Sequence, residues 1–232
     1  MADRPDLEGD LAMAAGQAGE PEPVSTRSRR SPVQARSADT VRKVEEAASR
    51  LLARGVSADA MTTAQISAEA QVSVGALYRF FPDKQAIVDS LAVRRLQDFQ
   101  SRLAQDIVPA LAKRDGPALV GFVIDAFVAF LDDNPDFATI AFKGRSISRG
   151  TRELQSNANA GVPELVKTYM IQGLGVAPAP ELDLRLRLAS EVGDRLIGLA
   201  MEQAGGPERR AILNEVKRII SLYLFGVAAP IG

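Results

Sequence analysis

The stretch Thr62-Thr63-Ala64-Gln65-Ile66-Ser67-Ala68-Glu69-Ala70-Gln71-Val72-Ser73-Val74-Gly75-Ala76-Leu77-Tyr78-Arg79-Phe80-Phe81-Pro82-Asp83-Lys84 decides the fold of this chain. Thr62 followed three residues later by Gln65 is a capping box, in which the Thr side chain accepts from the Gln65 amide while Gln65 reaches back to Thr62. A helix is expected from there to Ala70. Ser73 is a second N-cap and opens a short helix over Val74 to Phe80, which stops because Pro82 drives Phe81 out of the helical region. Asp83 then caps a third, longer helix. The result is two helices of about eight and seven residues around a three-residue turn. A helix of two turns has little stability of its own, so this one has to be held by its neighbours.

The side chains of the short helix sort into two sides. Leu77 and Phe81, four apart, turn inward onto Ile66, Ala70 and the helix before them. Tyr78 and Arg79 point outward, behind the small N-terminal residues Val74, Gly75 and Ala76. That is a composition suited to a helix-turn-helix, whose first helix crosses a phosphate backbone and whose second enters the major groove. Small residues let the backbone come near base edges and turn the positive helix end toward phosphate. A Tyr hydroxyl suits a phosphate oxygen, Arg79 suits a phosphate or the bidentate edge of guanine, and Lys84 adds a second cation. Singly, each has a plainer reading: Thr62 and Ser73 as caps, Tyr78 as packing, Arg79 and Lys84 as solvated surface. Their joint spacing argues for DNA.

The joined pattern Val72-Ser73-x-Gly75-x-Leu77-Tyr78-x-x-Phe81-x-x-Lys84 resembles the DNA-binding domain of the tetracycline-repressor (TetR) family of bacterial transcription regulators, and the likeness extends back to Val44, Ala47, Ala48 and Gly55. The resemblance implies backbone contacts from Thr63, Ser73, Gly75, Tyr78 and Lys84, with Val74, Ala76 and Arg79 nearest the bases. It implies a homodimer on double-stranded DNA with a palindromic operator, in a chain whose lack of an apolar span or signal peptide reads as cytoplasmic. It also implies a repressor released when a small apolar or amphipathic effector binds the C-terminal domain, with no cofactor and no membrane partner. One departure is Gln71, at the turn where the family often has Gly; a left-handed conformation costs a residue with a side chain roughly 1 kcal/mol.

Upstream, a helical period starts at Asp39, with Val41, Val44, Ala47, Ala48, Leu51 and Leu52 at spacings of three and four and Gly55 as the stop. Residues 1–37 lack such a period and read as a disordered leader. Charge is segregated along the chain: −5 over residues 1–23, +4 over 24–84 and neutral thereafter, for a net −1. A basic module on a neutral body is a modest footprint of polyanion binding. Arg27, Arg29, Arg30 and Arg36 form either a cationic arm that follows a DNA groove or an incidental solvated tail.

Downstream, the reading is all-α. After a long fourth helix from Lys84 to about Ala110, which joins the two domains, come Pro117 to Asp132, Pro135 to Lys143, about Asn159 to Gln172, Pro180 to Gln203 and Pro207 to Phe225, about nine helices in all. The domains divide as leader 1–37, helix-turn-helix 38–86 and effector-binding and dimerisation domain 87–232. The helix ALVGFVIDAFVAFL is apolar nearly all round, which makes Asp125 inside it a buried carboxylate that either pairs with an interior Arg such as Arg195 or lines a cavity. An effector pocket is expected near Asp125, Phe127, Phe130, Phe142, Tyr169 and Met170, with a filled core as the alternative. Apolar stripes on the last two helices suit a dimeric four-helix bundle through Leu196, Ala200, Ile219 and Tyr223, and equally suit packing within one chain. Gly193 and Gly198 would permit close approach of helices.

Composition removes most rivals. With no Cys and no His, the chain lacks thiol nucleophiles, disulfides, imidazole bases and the commonest zinc ligands, so no metal site is expected. No stretch reaches the ~18 to 20 apolar residues of a membrane span, and the acidic N-terminus does not read as a signal peptide. Two other readings stand beside the ligand-responsive repressor: a DNA-binding regulator answering to a protein partner or acting as an activator, and a helical enzyme using Asp125, Glu191 and Tyr169. No spacing defines a reaction for the second, and a non-enzyme is expected.

Overall fold

The computed structural model of the chain describes residues 32–110, 115–143 and 161–226. Among them there is no strand, and the helices are α1 (Pro32–Ala53), α2 (Thr63–Ala70), α3 (Val74–Tyr78), α4 (Lys84–Ala110), α5 (Gly116–Asp133), α6 (Pro135–Ala138, continued as a π-helical turn over Thr139–Lys143), α7 (Gly161–Gln172), α8 (Pro180–Met201) and α9 (Pro207–Phe225). The architecture is an N-terminal helix-turn-helix domain followed by a C-terminal helical domain. None of these helices is long and apolar enough to cross a membrane.

α1 begins at Pro32, seven residues before the apolar period. Proline is suited to the first position of a helix, and Gln34, Ala35 and Arg36 are good helix formers. Arg36 therefore belongs to a helix rather than to a flexible arm. Arg27, Arg29 and Arg30 lie outside the described residues.

Two hydrophobic cores organise the chain. The first gathers Val44, Ala47, Ala48 and Leu52 of α1, Ile66 and Ala70 of α2, Leu77 of α3, and Ile87, Val88, Leu91 and Ala92 of α4. Leu77 is fully buried, worth roughly 1.5–3 kcal/mol of stabilisation, which is how a five-residue helix is held in place. The second core runs through the lower half of α4 (Leu96, Phe99, Leu103, Ile107) to α5, α7, α8 and α9. α4 thus belongs to both cores, because its apolar stripe continues past Ala92. α6 does likewise: Phe137 is part of the second core, while Ile140 in the π-helical turn enters the first.

Buried ionic contacts tie the same helices together. Glu45 of α1 is 6% exposed and accepts from Ser90 Oγ and Arg94 of α4. Asp136 of α6 is 2% exposed, and one of its oxygens accepts from Ser49 Oγ of α1 at 2.7 Å and from Arg95 of α4 at 3.0 and 2.8 Å. At the far end, Gly226 in the left-handed region (φ 69°) closes α9, and the Arg185 guanidinium donates to the Tyr223 and Leu224 carbonyls. Those carbonyls have no partner inside their own helix.

Candidate functional site

The short-helix head is built from local chemistry. Thr62 Oγ1 accepts from the Gln65 amide at 3.2 Å while Gln65 Oε1 accepts from the Thr62 amide at 2.9 Å, so both halves of the capping box are made. α2 ends at Gln71 with φ 56° and ψ 40°, the left-handed conformation, which turns the chain toward α3. Ser73 Oγ accepts from the Ala76 amide at 3.1 Å, and Asp83 caps α4 through the Ala86 amide at 2.8 Å. α3 itself closes at Tyr78, two residues earlier than its sequence suggests, since Pro82 and the tight turn at Phe80 consume its last residues.

Leu77 and Phe81 point into the core, and Ser73, Val74, Gly75, Tyr78 and Arg79 are exposed. Positions 74, 75, 78 and 79 share one side of a helix. Tyr78 keeps half of its surface in solvent, which sets aside its reading as core packing. Its hydroxyl lies 3.2 Å from Thr63 Oγ1 at the start of α2, so one hydrogen bond joins the two helices of the head. Lys84 Nζ donates to the Asp59 carbonyl, and Thr63, Ala76 and Lys84 are half-buried. The Arg79 guanidinium sits 5.8 Å from the Phe80 ring centre. A Cβ added at Gly75 would meet nothing within 4 Å, so the fold of this chain does not itself require glycine there.

A second feature is a cavity of about 120 Å³ in the C-terminal domain, walled by Leu96 and Phe99 of α4, by α5 including Val123 and Phe127, by Val162 and Val166 of α7, and by α8 and α9. Of the expected pocket residues only Phe127 lines it. Phe130 is buried in an aromatic cluster 5.4 Å from Phe99 and 5.9 Å from Phe137. Tyr169 and Met170 are core, and Phe142 lies against Gly198. Burial pushes the Tyr169 hydroxyl pKa above its usual value, with the Asp115 charge adding to it.

Asp125 is not buried. Its side chain is 63% exposed and its carboxylate meets Lys217 Nζ of α9 at 2.6 Å; Arg195 is exposed elsewhere. The apolar run around Asp125 concealed the narrow outer face of α5, which α9 covers with a lysine stem rather than with a hydrophobe. The polar group that does line the cavity is Asp194 of α8, beside Ser190. Burial, and then the negative charge of Glu191, push its carboxyl up to about 7. The signal for it was available: Leu186, Ser190, Gly193 and Ile197 repeat at helical spacing, and Asp194 adjoins that inward stripe.

The outer faces of α8 and α9 carry an apolar band. Leu184, Leu188, Val192 and Leu199 are 43–47% exposed, as are Ile219, Leu222 and Tyr223 at 42%. Ile219 and Tyr223 thus lie on the band and Leu196 is half-buried at its edge, whereas Ala200 is fully buried within its own chain. Ala200 follows Leu199 by a single residue, about 100° round the helix, and so turns to the core. Gly198 likewise serves the interior, since a Cβ there would stand 2.8 Å from the Phe142 ring.

Two family profiles match the chain: "Bacterial regulatory proteins, tetR family" over residues 46–91, and "Tetracyclin repressor-like, C-terminal domain" over residues 117–224. The chain belongs to the TetR family of transcriptional regulators. A TetR-family transcriptional regulator from Streptomyces coelicolor is 25% identical, with a TM-score of 0.64 over 81% of this chain and 99% of that one. FadR from Bacillus subtilis, in complex with stearoyl-CoA, is 17% identical with a TM-score of 0.61 over 80% and 98%. RolR, in complex with resorcinol, is 15% identical with a TM-score of 0.57 over 85% and 99%. No curated protein matches the sequence. The family is one of regulators rather than enzymes, so α2 and α3 are the DNA-binding helix-turn-helix of a TetR-family member. Among the described residues no cluster of acidic side chains could hold a metal ion.

Proposed function

We propose that this TetR-family regulator acts as a homodimeric repressor that leaves a palindromic operator when a small molecule occupies the C-terminal cavity. Residues 38–86 form the reading head and residues 87–232 receive the ligand and the second copy. In the head, Val74, Ala76 and Arg79 approach base edges, and Thr63, Ser73, Gly75, Tyr78 and Lys84 hold the phosphate backbone. The open space at Gly75 and the exposure of Tyr78 support this, because neither residue is spent on the chain's own packing.

The observation that carries the ligand-responsive reading is α4, which supplies core residues of the reading head and, through Leu96 and Phe99, a wall of the cavity. A ligand that prefers a different α4 position changes the separation of two heads in a dimer, and differential affinity for the two arrangements is what couples the sites. FadR and RolR, each solved with a small molecule, are fold relatives in keeping with that reading. The apolar band on α8 and α9 supplies a self-complementary dimer surface, and a two-fold dimer calls for half-sites about one helical turn apart or a multiple of it. The protein would work in the cytoplasm, where its DNA lies.

The test is a gel-shift titration on an operator selected from random duplexes. Arg79→Ala is expected to weaken binding by roughly tenfold or more, as loss of a contact of ~1–3 kcal/mol requires, and Tyr78→Phe more mildly. Wild-type affinity in both variants refutes the assignment of the recognition helix. A wild-type complex that no cavity-bound compound alters leaves a regulator without a small-molecule effector.

A further inference from the structure

We infer that Val74 is a specificity-determining residue that reads a thymine methyl group, and so fixes a T·A pair at one position of each operator half-site. The inference rests on the reading of α3 as the recognition helix and adds the class of base pair that its first residue takes.

The side chains at the start of α3 narrow the choice. Ser73, Val74 and Gly75 are the exposed residues there. Ser73 commits its Oγ to the Ala76 amide at 3.1 Å, which leaves its hydroxyl proton for a phosphate oxygen. Gly75 has no side chain, and a Cβ there would meet nothing within 4 Å. Val74 is thus the residue of the three with a side chain to spend on a base edge, which is what the first residues of a recognition helix reach. It is 42% exposed and takes no part in the core of the reading head. Among the described side chains of that head, only Val74 and Tyr78 are large hydrophobes left exposed. They stand four residues apart and so are neighbours on the helix surface. The Tyr78 hydroxyl, 3.2 Å from Thr63 Oγ1, is turned toward α2. A lone exposed valine is ordinary on a protein surface, but this one occupies the side of α3 that it shares with Gly75, Tyr78 and Arg79.

The chemistry of the groove selects the partner. In the major groove the base pairs present hydrogen-bond donors and acceptors, and the C5 methyl of thymine is the apolar exception. Valine has neither donor nor acceptor. Set against guanine O6 and N7, adenine N6 or cytosine N4, its methyl groups would strip water from a polar atom and return no hydrogen bond. Set against a thymine methyl, they bury apolar surface on both partners. Arg79 has the opposite preference, because its guanidinium makes the bidentate bond to guanine. α3 therefore reads with two chemistries, and Val74 supplies the apolar one. Ala76 is half-buried and carries a single methyl, which makes it the lesser apolar contact.

A gel shift on the operator selected from random duplexes tests this, with each thymine replaced singly by uracil, which lacks the methyl and keeps the pairing. At one thymine per half-site the wild-type chain is expected to bind about fourfold more weakly after replacement, the equivalent of ~0.8 kcal/mol for one buried methyl-sized group. Val74→Ala should bind the thymine operator about as weakly as wild type binds the uracil one, and should no longer distinguish the two. The variant keeps its fold, because Val74 packs in neither core and alanine is the better helix former. An operator with no uracil-sensitive thymine, or a sensitivity that persists undiminished in Val74→Ala, overturns Val74 as the methyl reader while α3 stands as the DNA-binding element. Failure to select any operator overturns the recognition-helix reading along with it.

Discussion

Truncating Asp136 to alanine removes the carboxylate that joins α1, α4 and α6. In the intact chain one oxygen of this 2% exposed side chain accepts from Ser49 Oγ and twice from the Arg95 guanidinium. Without it, Arg95, whose side chain is 22% exposed, retains Asp98 at 3.8 Å and a 3.3 Å donation to Ser49 Oγ. Removing one partner of a buried pair costs about 3–5 kcal/mol, mostly because the other charge is stranded. Partial exposure of Arg95 and the fallback to Asp98 place this case near the lower end, about 3 kcal/mol. For a chain of this size that is a fall of roughly 6–12 °C in Tm. Thermal unfolding followed by circular dichroism reads it directly. A double-mutant cycle with Arg95→Ala should show a coupling of about 1–3 kcal/mol. Asp136→Ala with a Tm within a degree of wild type, or a cycle with no coupling, refutes the reasoning that this contact holds the helices together.

The raised Asp194 carboxyl makes stability depend on pH. Its folded value of about 7 lies above its ordinary 3.8, so between those values the folded chain holds a proton that the unfolded chain has lost. This contribution to stability is full below about pH 4 and falls as pH rises toward 7, by at most about 1.4 kcal/mol per pH unit. Urea midpoints across this range should show that downward slope in wild type and a shallower one in Asp194→Asn; equal slopes remove Asp194 as its source. At Gln71, where φ is 56°, Val is expected to destabilise by about 1–2 kcal/mol because a β-branched residue fits the left-handed region poorly. Gly there should be within about 1 kcal/mol of wild type, and a Val variant as stable as the Gly one contradicts this. Gly198→Ala drives a Cβ to 2.8 Å from the Phe142 ring and should cost about 1–3 kcal/mol in thermal unfolding; no loss would mean that Phe142 moves aside freely.

The parts that sequence could supply are those whose physics is local. The capping box at Thr62, the Ser73 and Asp83 caps, the left-handed Gln71 and the stop before Pro82 each involve residues a few positions apart, so a linear reading contains all the partners. The start of α1 at Pro32 did not follow from apolar spacing, because the spaced apolar residues begin only at Val41. Asp125 shows the opposite failure. An almost uniformly apolar helix carries no phase information, so its one charged residue could be placed inside or outside, and only the arrival of Lys217 from a helix 92 positions later decides it. Asp194 escaped for a related reason: whether a residue at the edge of an apolar stripe faces a cavity or solvent depends on which neighbour is too small to fill the space. Ala189 and Gly193 are the small neighbours here.

The arrangement of α6 gives the C-terminal cavity a physical connection to the reading head besides α4. Ile140 sits in the head's core, Asp136 is locked to α1 and α4, and Phe142 stands against Gly198, one residue beyond the cavity residue Ile197. A displacement of α8 at its cavity wall therefore presses on a ring whose own element is anchored in the head by one hydrophobe and one buried carboxylate. Close-packed interiors transmit such displacements because they have little free volume to absorb them. The π-helical turn over Thr139–Lys143, between Asp136 and Phe142, is the part of this connection with the least regular backbone, and π-helical turns mark places where a helix departs from its strongest hydrogen-bond pattern. The buried contacts of Asp136 and the π-helical turn therefore lie next to one another on the path between head and cavity.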